Sequence, residues 1–356
     1  MAALDNLPSD RKYNIKNQLA GLVEHAKTNK RSVGKDGFLS RHGSCFTIYP
    51  MSLAVPDFEK FQAHPDDLVI CGIAKSGKIF SLELVSTTMD CLGGALGASR
   101  FCALIGMIMQ DADPDYLYRE PDLQEKVPWL DFCTAVNAEG PRGIEQISLI
   151  APPRAYWTRY AFDGLPSSIH QSGAKIVYHL RHPKDTLITL YHHYLARKER
   201  MSFSGELEEM IQWLVSDNIY CGPWFDHILS YWNHRNDPNV FICSYEDVSR
   251  DPKKAIKDLA TFLNKPLTEQ QVETVAYHTH FDQMRINSLA NHESNNSVGE
   301  FDFEAAKFMR SGKVGGWKKH LSHDQNSRIN AWMEKNMQRP ELAGLAERFS
   351  ETFKIE

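Results

Sequence analysis

Gly72, Gly77 and Lys78 have the spacing with which a chain cradles a phosphate: glycines let backbone amides turn toward the anion, and the lysine supplies charge. They lie in ICGIAKSGKIF, Ile70 to Phe80. An ATP-binding loop of this form continues with a Ser or Thr hydroxyl that holds magnesium, whereas this chain has Ile79. The pattern therefore indicates a phosphate-bearing ligand and leaves its identity open. A second stretch, FMRSGKVGGWKKH, mixes Arg310, Lys313, Lys318 and Lys319 with Gly312, Gly315 and Gly316. Such a loop can close on a phosphate, although by itself it also fits a solvated basic loop.

Positioning these residues requires strands that end where they begin. Short apolar runs alternate with longer helical patterns, a rhythm that predicts an α/β domain with a central parallel sheet flanked by helices. DLVICGIA reads as a buried strand and FSLELVSTTMDCL as the following helix, so Lys75, Ser76 and Gly77 fall at a strand-to-helix turn. KIVYHL, Lys175 to Leu180, runs into RHPKD, which places Arg181 at a strand's carboxyl end and Asp185 where it can cap the next helix. VFICSY, Val240 to Tyr245, precedes an acidic turn and an amphipathic helix. Open parallel sheets bind ligands at these carboxyl edges.

Composition narrows the partners. A net charge of −5 gives no global basic field for nucleic acid or anionic membrane. The seven cysteines are odd in number and contain no C-x-x-C pair, which argues against a disulfide framework or zinc site and fits a reducing cytoplasmic compartment. Residues 1–42 read as a polar extension with an amphipathic helix, and 43–356 as the single folded domain. The run from Cys91 to Met109 is nearly long enough to span a bilayer, but Arg100 at its middle argues for a helix packed inside the protein and no membrane span.

Taken in order, the motifs resemble the cytosolic sulfotransferase family, with its P-loop-like fold. AKSGKIF stands at the family's P-K-S-G-T-T-W, KIVYHLRHPKDTLITLYHHY at its R-N-P-K-D-x-x-x-S-Y-Y-H segment, and CGPWFDHILSYWN, SYEDVSRDPKKAIKDLATFL, HTHFDQM and FMRSGKVGGWK follow. The resemblance runs from about Gly43 to Met337. It implies transfer of a sulfuryl group from 3′-phosphoadenosine-5′-phosphosulfate (PAPS) to a small acceptor, without a required metal, so Ile79 is no obstacle. By position, it implies that Lys75 stabilises the leaving group and that Ser76 and Gly77 hold the 5′-phosphate; Lys78 and Ile79 replace two family threonines, and Lys78 supplies a cation that could neutralise phosphate charge. Arg181, Thr189, Arg310 and Gly312 would hold the 3′-phosphate, with Ser311 replacing a family lysine. Tyr245, Thr279 and Phe281 would line the adenine, with Phe80 in place of the stacking tryptophan.

The chain departs from the family in P-R-x-x-K-T-H-L-P, where the histidine is the general base. Here the segment is PRAYWTRYAFDGLP, with Trp157 at the lysine position and Arg159 at the histidine position. An arginine does not give up its proton in proteins and so cannot be that base, though it could stabilise sulfuryl oxygens as a catalytic cation. Three readings follow: a working sulfotransferase with an altered site, a catalytically weak or inactive protein binding nucleotide or a small ligand, and a magnesium-dependent kinase or NTPase. The small-residue run after Cys91 suggests a lipophilic acceptor. The family's dimer motif is altered at Ser322, His323 and Ser327, which predicts a monomer or a dimer through another surface.

Overall fold

The computed structural model describes residues 31–32, 38–42, 44–48, 58, 60–73, 96–131, 143–195, 205–219, 221–291 and 312–345. β1 (Arg31–Ser32), β2 (Phe38–His42) and β3 (Cys45–Ile48) form a small antiparallel sheet. The hairpin of β2 and β3 pairs His42 with Cys45 and Leu39 with Ile48.

The central sheet contains β4 (Leu68–Gly72), β5 (Ala155–Thr158), β6 (Lys175–Leu180) and β7 (Val240–Ser244), in the order β5-β4-β6-β7 with every pair parallel. This is the parallel sheet that the sequence rhythm predicts. Gly72 pairs with His179 and Leu180 with Ser244, so the carboxyl ends share one rim. A parallel sheet needs cover on both faces, and these strands are apolar on both. Val69, Tyr156, Ile176 and Tyr178 enter a core with Leu187, Trp224 and Tyr231, while Ile70, Trp157 and Val177 enter a second core with Phe101, Leu104 and Ile108.

The opposite edge is pinned by charge. Arg154, just before β5, places Nε 2.8 Å from Oδ1 of Asp67, just before β4, and donates to the carbonyls of Ile147 and Gln62 at 2.9 and 2.6 Å. The Leu68 amide donates to the Arg154 carbonyl at 2.9 Å. The pair fixes the β4–β5 register at one end of the sheet, leaving the other end for the site.

The helices used below are α1 (Leu96–Met109), α2 (Pro183–Leu195), α3 (Leu207–Val215), α4 (Trp224–Trp232), α5 (Tyr245–Arg250), α6 (Pro252–Phe262), α7 (Glu269–His278), α8 (Phe281–Ile286) and α9 (His323–Met337). The apolar run around Arg100 is α1, packed against the sheet, with the Arg100 Nε donating to the Thr279 carbonyl at 3.1 Å. Among the described residues no helix is long and apolar enough to cross a membrane.

Helix α2 begins earlier than the Asp185 cap suggested. Pro183 takes its first position, where a missing N–H costs nothing, and His182 caps it by accepting the Lys184 amide on Nδ1 at 3.1 Å. Asp185, thereby moved into the first turn, is freed for a partner far away in sequence. VFICSY likewise ends one residue early as a strand: Ser244 accepts the Asp247 amide, and Tyr245 opens α5.

Candidate active site at the carboxyl rim of the sheet

Arg181 leaves the end of β6 and lies over the Tyr245 ring, with its Cζ 4.4 Å from the ring centroid. Tyr245 starts α5 at the end of β7, so adjacent strands supply the cation and its platform. The Tyr245 hydroxyl donates to the Gly312 carbonyl at 2.9 Å, tying the start of the 312–319 segment to the rim. Thr279, at the end of α7, is fully buried; its hydroxyl and amide both donate to the Val275 carbonyl, at 2.7 and 3.0 Å.

Gly312 is held at φ +61°, and a Cβ there would stand 2.3 Å from a Phe281 ring carbon. Both conditions require glycine. Gly312→Ala is therefore expected to displace the segment from Tyr245 and Phe281, costing about 1–3 kcal/mol of stability by urea unfolding. An unchanged midpoint would show that the segment is not held there.

Asp185 holds the same segment from the other side. Its carboxylate accepts the Gly315 amide at 2.7 Å and the Trp317 amide at 3.0 Å, across 130 and 132 residues. Lys184 places its Nζ 4.1 Å from the Trp317 ring centroid and donates to the Asn326 side chain at 2.6 Å. Burial, together with the charge of Lys318, lowers the Lys184 ammonium to about 8. Thr189 is buried on α2. The structure thus brings together Arg181, Tyr245, Phe281 and Gly312, with Thr279 two residues before Phe281. Lys75, Ser76, Gly77, Lys78 and Phe80, with Arg310 and Ser311, lie outside the described residues.

At the β5 end the rim is closed by a buried ion pair that local sequence patterns do not reveal. Arg159 places Nε 2.5 Å from Oδ2 of Asp131, both side chains are essentially inaccessible, and the Arg159 Cζ sits 4.6 Å from the Trp129 ring centroid. Asp131 also accepts the Arg159 amide and, at 2.6 Å, the Thr158 hydroxyl. Trp157 is fully buried, edge-to-face with Trp129, and its ring fills the space over Gly72, where a Cβ would meet it at 3.2 Å.

Nearby histidines have their own constraints. The Nδ1 and Nε2 of His227 lie 3.0 Å from the Tyr178 hydroxyl and 2.9 Å from the Arg159 carbonyl. The carbonyl can only accept, so Nε2 carries the proton and Nδ1 accepts from Tyr178. Burial lowers His227 to about 4. Burial, reinforced by Arg181, lowers His179 to about 3, and its ring packs 4.1 Å from Phe101. A neutral, buried imidazole of that acidity is a poor proton acceptor near neutral pH.

A sulfotransferase-domain model matches residues 65–340 of the chain. Sulfotransferase 1B1 of Mus musculus is 30% identical over 290 residues, covering 82% of this chain and 89% of the relative. Sulfotransferase 1C2 of Homo sapiens is 27% identical over 280 residues, covering 79% and 86%. Among solved structures, retinol dehydratase in complex with androsterone and inactive cofactor PAP superposes with a TM-score of 0.71 at 17% identity, over 89% of this chain and 94% of that one. Mouse sulfotransferase SULT7A1 complexed with PAP gives 0.61 at 20%, over 88% and 99%. At those identities the solved structures establish a shared fold. The family match spans the central sheet, the rim cation with its aromatic platform and the 312–319 segment, and by it the chain belongs to the sulfotransferase-domain family.

Proposed function

We propose that the chain transfers a sulfuryl group from PAPS to a hydroxyl or amine of a small, lipophilic acceptor. The observation that carries this reading is the convergence of Arg181, Tyr245, Phe281 and Gly312 at one rim from segments far apart in sequence. The Arg181 Nε is buried without a partner among the described residues, as suits a cation whose natural partner is a phosphate. PAPS would supply the activated sulfuryl group. Arg181 and Thr189 would hold its 3′-phosphate, Tyr245, Thr279 and Phe281 would flank the adenine, and Lys75 would stabilise charge on the oxygen that leaves.

Arg159 is committed to Asp131, and His179 and His227 are neutral and buried, so in this reading the acceptor's proton is lost without the family's histidine base. The rate should therefore rise with pH along the acceptor's own ionisation, and weakly acidic alcohols should lag by the ~10²- to 10⁴-fold that a positioned base provides. Labelled-sulfate transfer from PAPS to a panel of phenols, sterols, alcohols and amines tests this. Transfer to acidic phenols with that pH dependence is expected. Bisphosphate binding without transfer to any acceptor would favour the second reading, a nucleotide-binding protein of little turnover, which the Arg159–Asp131 pair also supports.

A further inference from the structure

Glu246 is buried at 2% exposure beside the cation of the proposed phosphate site, and the transfer reaction makes no use of it. Its Oε1 accepts the His182 amide at 3.1 Å, while Oε2 has no donor among the described residues. The groups facing it are Arg181 and His182 from the turn between β6 and α2, Asp185 from α2, and its own backbone amide on α5. His182 is held neutral by burial and by Lys184 and Arg181, so Arg181 provides the compensating charge. Burial raises the Glu246 carboxyl to about 7, the His182 amide and Arg181 partly oppose the rise, and Asp185 adds to it.

We propose that Glu246 takes up a proton from solvent when a phosphate dianion docks on Arg181, so that nucleotide capture by this site is proton-linked. The proposal rests on the reading of Arg181 as the 3′-phosphate ligand. An arriving dianion offsets the charge by which Arg181 stabilises the buried carboxylate. A half-satisfied carboxylate that loses its cation is better neutralised than left charged. The sign follows from linkage: the complex binds more protons than the free protein, so affinity falls as pH rises above about 7, and the loss ends above the complex's own, higher value. The phosphate's second ionisation near 6 acts in the opposite sense at lower pH, which makes about pH 7.5 the place to measure.

The experiment is calorimetric titration of the full chain with adenosine 3′,5′-bisphosphate at about pH 7.5, in buffers of different ionisation enthalpy. The wild type should take up about half a proton per nucleotide. Glu246→Gln should lose that uptake. Lys184→Gln should retain it, which separates Glu246 from the nearby ammonium that also titrates in this range. Uptake that persists in Glu246→Gln, binding by the wild type with no uptake, or loss of the uptake in Lys184→Gln overturns the proposal; if Glu246→Gln does not fold, the wild-type and Lys184→Gln series decide together. Failure of the bisphosphate to bind at all overturns the cofactor reading and takes this proposal with it.

Discussion

Asp131→Ala is expected to lower folding stability by about 3–5 kcal/mol, because it leaves the Arg159 guanidinium charged and buried without its carboxylate. The same change orphans the Thr158 hydroxyl and the Arg159 amide, both of which donate to Asp131. Arg159→Leu should cost a comparable amount by stranding the carboxylate. Asp131→Asn with Arg159→Leu, which leaves no charge behind, should cost less than the two single losses together. Urea unfolding of the single and double variants measures this. A loss below about 1 kcal/mol for Asp131→Ala would mean that the pair is solvated, and Arg159 would then be available to a ligand.

Arg181→Ala should weaken binding of adenosine 3′,5′-bisphosphate by about 10²- to 10³-fold while changing ATP affinity little, since ATP lacks the 3′-phosphate. The reason is geometric. The guanidinium is already ordered on the Tyr245 ring at 4.4 Å, so little side-chain freedom is lost when an anion arrives. Arg181→Lys keeps the charge but loses the planar fork and should recover only part of the affinity. Equal weakening of both nucleotides would indicate a general loss of structure at the rim.

The strands that build the rim were legible because their cause is local. Lys175–Leu180 is a strand over the residues its apolar run marks out, and Val240 onward differs only in that Ser244 caps a helix at Tyr245. Arg181, Tyr245, Thr279, Phe281 and Gly312 are singled out in the sequence only by the order of motifs, and each lies in a described part of the fold.

The contacts that hold those residues in place were not legible, because they join segments with no local signature. Asp131 meets Arg159 across 28 residues through a parallel bridge between Trp129 and Trp157, and Asp185 grips backbone amides 130 residues away. A lone aspartate inside the apolar run PWLDF was the available clue to the first, since a buried carboxylate requires a partner. For Asp185, the capping reading competed with its true use, and Pro183 and His182 decided the matter by starting the helix first. Trp157 stands where the family has a lysine, and the structure buries it entirely over Gly72.

The most direct test of the central claim, a rim built to hold a 3′-phosphorylated adenine nucleotide, is calorimetric titration with adenosine 3′,5′-bisphosphate beside ATP and magnesium, each repeated in chelator. Binding of the bisphosphate that is unaffected by chelator, with ATP weak, is the predicted result. Metal-dependent ATP binding with no binding of the bisphosphate would contradict the account and return the loop at Gly77 and Lys78 to the nucleotide triphosphates that its spacing first suggested.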